Sequence, residues 1–130
     1  KLTVARHKSD LCLPLPHVLI IQLKRFTYDV NSNQKIDTYI SCPLYDLDLD
    51  KYIVKDNSDI PENNLWTKYD LVAVSNHTGG LVSGHYTAYS KNPQDGNWYS
   101  FDDDMVRQLS SGNNVVTKNA YMLFYVQRTS

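Results

Sequence analysis

The chain has 130 residues, enough for one domain with its own core or for a large piece of one. Hydrophobic residues make up 42% and charged residues 21%, which excludes global disorder, and thirteen basic against fourteen acidic residues leave no electrostatic reason for nucleic acid or an anionic membrane as partner. No run approaches the ~20 apolar residues of a membrane-spanning helix, and the polar stretch Lys1 to Asp10 carries no secretory signal.

His17 to Leu23 is a short apolar, β-branched run after Pro14 and Pro16, and reads as a buried strand continuing into Lys24-Arg25-Phe26. Asp29 to Lys35, with Asn31, Ser32 and Asn33, reads as a turn, and Ile36 to Cys42 as a short strand ended by Pro43. The polar stretch Asp56 to Asn64 is expected to be an exposed loop. Tyr69 to Ser75 is the next strand, followed by a glycine-containing loop from Asn76 to Gly84. His85 to Tyr89 and Trp98 to Phe101 read as two arms of a hairpin, with Asn92 to Asn97 supplying the turn chemistry. Gly112 to Asn119 is the one candidate for a short helix, and Ala120 to Val126 is a strong final strand. The fold class expected is α+β and sheet-dominated: a mostly antiparallel, twisted sheet with long loops and little helix.

Ten tyrosines against three phenylalanines suit half-buried strands and protein-contact surfaces, because each ring has an apolar body and a polar tip. Cys12 and Cys42 read as free thiols, and with no Cys-x-x-Cys pair the chain builds no zinc site by itself. No cofactor or metal is expected.

The chemistry-bearing residues are His85 and the run Asp102, Asp103, Asp104. Opposed residues in a hairpin share a sheet face with Cβ atoms ~4.5–5.5 Å apart. A turn near residues 93 to 95 sets His85 against that aspartate run. A carboxylate there accepts the imidazole Nδ1–H, fixes the tautomer and stabilises the imidazolium. The register alone leaves open which aspartate does so. The run also lacks the spaced oxygen ligands of a calcium loop.

Five stretches, in order, are similar to the ubiquitin-specific protease family of deubiquitinating enzymes. Leu15-Pro16 with Leu19 to Phe26 resembles the strand after that family's fingers region. Tyr69 to His77, Gly79-Gly80 and Gly84-His85-Tyr86-Thr87-Ala88-Tyr89 resemble its histidine box. Trp98 to Asp103 resembles the segment with the third catalytic residue, and Ala120 to Tyr125 its closing strand.

The resemblance implies the palm part of a papain-like domain, covering residues 1–130 as the C-terminal portion of a catalytic domain. It implies thiol-dependent hydrolysis at the C-terminal glycine of ubiquitin, with ubiquitin and ubiquitinated proteins as partners. His85 would be the general base, Asp102 its orienter and Asp103 an assisting residue. His77, Gly79, Gly80, Gly84 and Tyr86 would line the channel for ubiquitin's Gly-Gly tail. The family's nucleophile lies in an N-terminal cysteine box that neither Cys12 nor Cys42 matches. This chain is therefore expected to need the N-terminal part of its own catalytic domain and to be inactive alone, in a cytoplasmic or nuclear protein. A catalytically inactive ubiquitin-holding module is the alternative.

Overall fold

The computed structural model describes residues 6–29, 32–54, 66–80 and 83–129. Among them run nine strands: β1 (Val18–Gln22), β2 (Phe26–Asp29), β3 (Ser32–Lys35), β4 (Leu47–Asp48), β5 (Lys68–Gly79), β6 (Gly84–Lys91), β7 (Trp98–Asp102), β8 (Met105–Gln108) and β9 (Ala120–Gln127). Seven form one antiparallel sheet in the order β1-β9-β5-β6-β7-β8, with β4 pairing β5 off that path, while β2 and β3 form a separate hairpin. The described residues contain no α-helix, only single 3-10 turns at Asp50–Tyr52 and Gly112–Asn114. The sheet-dominated fold is as the sequence indicates; the expected helix after Gly112 shrinks to the second of these turns.

One face of the sheet carries the core. Tyr69, Leu71, Val74, Leu123 and Tyr125 are each at most 1% exposed, drawn from adjacent strands β5 and β9. Leu19 and Ile21 of β1 pack against this cluster, while Val18 and Ile20 point the other way, the period-2 alternation of a strand. The two buried tyrosines satisfy their hydroxyls on chain that crosses the sheet. Tyr69 Oη donates to the Pro16 carbonyl at 2.6 Å and Tyr125 Oη to the Pro43 carbonyl at 2.8 Å. Burial pushes both phenols above their ordinary range, so they remain donors.

Three expectations are corrected. Asp29 to Lys35 is not simply a turn: Phe26–Asp29 and Ser32–Lys35 pair as a hairpin, because backbone pairing tolerates polar side chains. Ile36 to Cys42 is not a strand. The Ile36 and Thr38 carbonyls are instead taken by the Arg25 guanidinium, each at 2.8 Å. Asn76 to Gly84 is mostly not a loop: β5 runs on to Gly79 and pairs with β6 through Asn76↔Thr87, His77↔Tyr86, Thr78↔His85 and Gly79↔Gly84. The loop expected over Asp56 to Asn64 lies outside the described residues.

Two register shifts interrupt β5 against β9, between Leu71 and Ala73 and between Ser75 and Asn76. At the second, Ser75 pairs with Met122 and Asn76 with Ala120, which leaves Tyr121 as the extra residue on β9. A bulge re-aims the side chain it frees. Tyr121 uses that freedom to join a ring cluster at the end of β5.

Candidate active site

β6 starts with Gly84-His85, and β7 ends at Asp102. Their ladder runs from Lys91↔Trp98 to Ala88↔Phe101 and stops there. The expected hairpin turn closes the far end, with Asn92 N–H donating to the Asn97 carbonyl at 2.8 Å and Gly96 at φ +73°. At the near end β7 folds back into β8 through Asp103, whose φ of 49° is left-handed. That turn removes Asp104 from the position where a continued register would hold it opposite His85. Asp102 reaches the imidazole instead.

His85 Nε2 lies 2.5 Å from Asp102 Oδ1. This corrects the expected ring atom: Nε2, not Nδ1, meets the carboxylate. Nδ1 has no protein partner among the described residues. The side chains are 48% and 42% exposed, so the pair is open to whatever approaches Nδ1. The hydrogen bond that His85 donates to Asp102 and the charge of that carboxylate, with a smaller contribution from Asp103, hold the imidazole above its ordinary pKa. Asp103 lies close enough that candidate ligand atoms of His85, Asp102 and Asp103 all fall within 4.8 Å of one another. Asp103 thus sets a second carboxylate beside the His85–Asp102 pair.

The other expected site residues gather about His77. Its ring lies 4.7 Å from Tyr86, 5.3 Å edge-on from Phe26 and 6.3 Å from Tyr121, by centroids. These separations suit tilted and edge-to-face aromatic packing. His77 is 4% exposed, whereas Tyr86 is 56% exposed and forms the open side of the cluster. Burial, and then the Lys35 cation, push the His77 imidazole below its ordinary pKa and keep it neutral. The expected glycines have distinct reasons. Gly79 adopts φ +89°, and a Cβ there would meet the Ser83 carbonyl oxygen at 2.7 Å. A Cβ on Gly84 would run into the His77 ring itself, so Gly84 is what lets the Nε2–Cε1 edge of that ring approach the backbone. Gly80 faces open space, and its N–H donates to the Ser83 carbonyl at 2.9 Å.

Sequence reasoning missed Tyr121, Lys35 and the side-chain work of Arg25. Phe26 and Tyr121 lie inside recognisable motifs, but no local pattern says that a bulge and a hairpin bring their rings to His77. Neither thiol partners His85. Cys42 packs on the core cluster, and burial pushes its thiol pKa up against a smaller opposing effect of Arg25, the wrong direction for a thiolate.

The family model described as ubiquitin carboxyl-terminal hydrolase matches residues 5–125. Ubiquitin carboxyl-terminal hydrolase 15 of Homo sapiens is 44% identical over 121 residues, 93% of this chain and 12% of that protein. Ubiquitin carboxyl-terminal hydrolase 9 of Arabidopsis thaliana is 50% identical over 123 residues, again 93% of this chain and 12% of the relative. Among solved structures, the SAGA Ubp8/Sgf11/Sus1/Sgf73 DUB module bound to ubiquitin aldehyde matches with TM-score 0.72 and 36% identity, over 88% of this chain and 25% of that one. The same module bound to monoubiquitin matches with TM-score 0.72 and 38% identity, over 88% and 24%. The chain thus spans about an eighth of the curated relatives it matches. With the family model matched along nearly its whole length, the chain belongs to the ubiquitin carboxyl-terminal hydrolase family.

Proposed function

We propose that the protein carrying this chain hydrolyses the peptide or isopeptide bond at the C-terminal glycine of ubiquitin, with His85 as proton carrier and Asp102 as its orienter. The observation that carries the reading is the His85–Asp102 contact, made through Nε2 and leaving Nδ1 open. In this role Nδ1 takes the proton from a cysteine thiol that the rest of the protein supplies. The thiolate attacks the glycine carbonyl, and the imidazolium then gives its proton to the departing amine. Water hydrolyses the acyl-enzyme with His85 again as base. Asp102 holds the ring and stabilises the imidazolium, and the raised basicity of His85 suits both proton transfers. Asp103 assists through its charge.

The cluster of His77, Tyr86, Phe26 and Tyr121, next to the paired Gly79 and Gly84, is the proposed wall of the channel for ubiquitin's tail. A buried His77 ring packed on Phe26 and Tyr121, with an exposed Tyr86, gives that wall an aromatic floor with a polar tip, suited to an extended Gly-Gly segment. Solved relatives described as bound to ubiquitin aldehyde and to monoubiquitin support ubiquitin as partner. The raised thiol pKa of Cys42 supports a nucleophile supplied from outside these residues, and with it an inactive isolated chain. Cytoplasm or nucleus is the proposed location.

The test is turnover of a fluorogenic ubiquitin amide by the full-length protein, beside His85→Ala and with ubiquitin binding measured in parallel. Loss of a general base is expected to lower kcat by about 10²–10⁴-fold with binding retained. A wild-type protein that binds ubiquitin and turns over nothing would replace this reading with that of a ubiquitin-holding module.

A further inference from the structure

Arg25 is 3% exposed, and among the described residues no carboxylate pairs with it. Its guanidinium is spent on backbone: Nε donates to the Ala120 carbonyl at 2.6 Å, and Nη1 to the Ile36 and Thr38 carbonyls at 2.8 Å each. Nη2 is buried without a partner. Lys35, with a side chain 7% exposed, donates to the His77 carbonyl at 2.6 Å and pairs with Asp37 at 3.3 Å. Two buried cations that grip carbonyls are an expensive way to hold a fold, since desolvating a charge costs several kcal/mol before any contact is made.

What they grip explains the expense. Arg25 immediately precedes Phe26, Ala120 immediately precedes Tyr121, and Lys35 bonds the backbone of His77 itself. Each of those three rings therefore has a clamped backbone bond at its own residue or next door. The clamp also closes the bulge on β9 that frees Tyr121.

We propose that Arg25 and Lys35 are positioning residues that set the geometry of the Phe26–His77–Tyr121 wall and through it the affinity for ubiquitin. This rests on the proposed role of that wall. The contacts of both cations are to backbone carbonyls and Asp37, not to the His85–Asp102 pair. Loosening the clamp therefore weakens ubiquitin binding and raises KM, while kcat and the pH midpoint that reports His85 stay in place.

The experiment uses the full-length protein and fluorescently labelled ubiquitin, reading Kd by anisotropy, kcat and KM on a ubiquitin amide, and Tm. Lys35→Met keeps the aliphatic stem and removes the donor; Arg25→Lys keeps charge and burial but cannot reach all three carbonyls. The expected result is a Kd and KM raised about 10-fold, equivalent to about 1.4 kcal/mol, for Lys35→Met and less for Arg25→Lys. Lys35→Arg, which restores a cationic donor, recovers most of the loss. Unchanged Kd in both variants overturns the proposal. So does a fall in kcat with Kd intact, or a loss of folded protein in both, which would make these side chains scaffold only. Absence of wild-type turnover would sink the hydrolase reading alone, because Kd still reports the clamp; absence of wild-type ubiquitin binding would sink both.

Discussion

At the scale of single residues, the His85–Asp102 pair combines a hydrogen bond with charge in a solvent-open position. Folding raises the imidazole pKa, so the pair adds stability below the unfolded-state value, and this contribution is lost as pH rises through the folded value. Asp102→Asn removes the charge and leaves at most a neutral, weaker hydrogen bond to the ring. The His85 titration midpoint, followed by NMR of the ring protons, is expected to fall towards or below its ordinary value; an unmoved midpoint would show that Asp102 does not govern the ring. The sequence put three aspartates within reach of His85, and only the left-handed φ of Asp103 selects the first of them. Which ring nitrogen is used was not legible, because that depends on the direction from which the carboxylate arrives. Gly84→Ala offers a second test at this scale. The added methyl must displace the His77 ring, so both stability and ubiquitin binding should drop, by about 1–3 kcal/mol of stability on the pattern of overpacked sites. Stability within 0.5 kcal/mol of wild type in urea unfolding would contradict the ring placement, a threshold of about the size seen at ordinary surface sites.

At the scale of elements, β5 and β9 are the spine that holds the site to the core. Leu123 and Val74 face each other across the ladder, both fully buried. Leu123→Ala is expected to cost about 2–5 kcal/mol in chemical denaturation, a cavity cost that a loosely packed site would not show. The apolar halves of these strands were plain in the sequence as the β-branched and aromatic runs Tyr69 to Ser75 and Ala120 to Val126. The last third of β5 was not. Asn76-His77-Thr78-Gly79 has turn-like composition, and only pairing with β6 makes it strand. Likewise Ser32 to Lys35 pairs with β2 despite its polarity, while Ile36 to Cys42 joins no strand and gives its Ile36 and Thr38 carbonyls to the Arg25 side chain. In each case pairing or a side-chain contact overrode propensity: with β6 for the end of β5, with the neighbouring β2 for Ser32 to Lys35, and with Arg25 for Ile36 and Thr38.

At the scale of the whole molecule, the sheet buries one face under its own crossing segments and leaves the His85–Asp102 pair exposed at a strand end. The family was legible because five short motifs kept their order; no single strand or charge pattern would have identified it. The wall about His77 was half legible, through His77 and Tyr86. Phe26 and Tyr121 needed the hairpin and the bulge. The 130-residue chain alone is expected to leave a fluorogenic ubiquitin amide uncleaved over hours, since neither Cys12 nor Cys42 partners His85; turnover abolished by Cys12→Ala or Cys42→Ala would contradict this.

The most direct single measurement is the pH profile of kcat/KM for the full-length protein on a ubiquitin amide, wild type beside Asp102→Asn. If His85 works as the imidazolium partner of a thiolate, its raised pKa sets the alkaline limb. The Asp102→Asn profile should then show a lower maximum and an alkaline limb moved to lower pH. A profile that keeps both its height and its alkaline limb would contradict the roles given to His85 and Asp102.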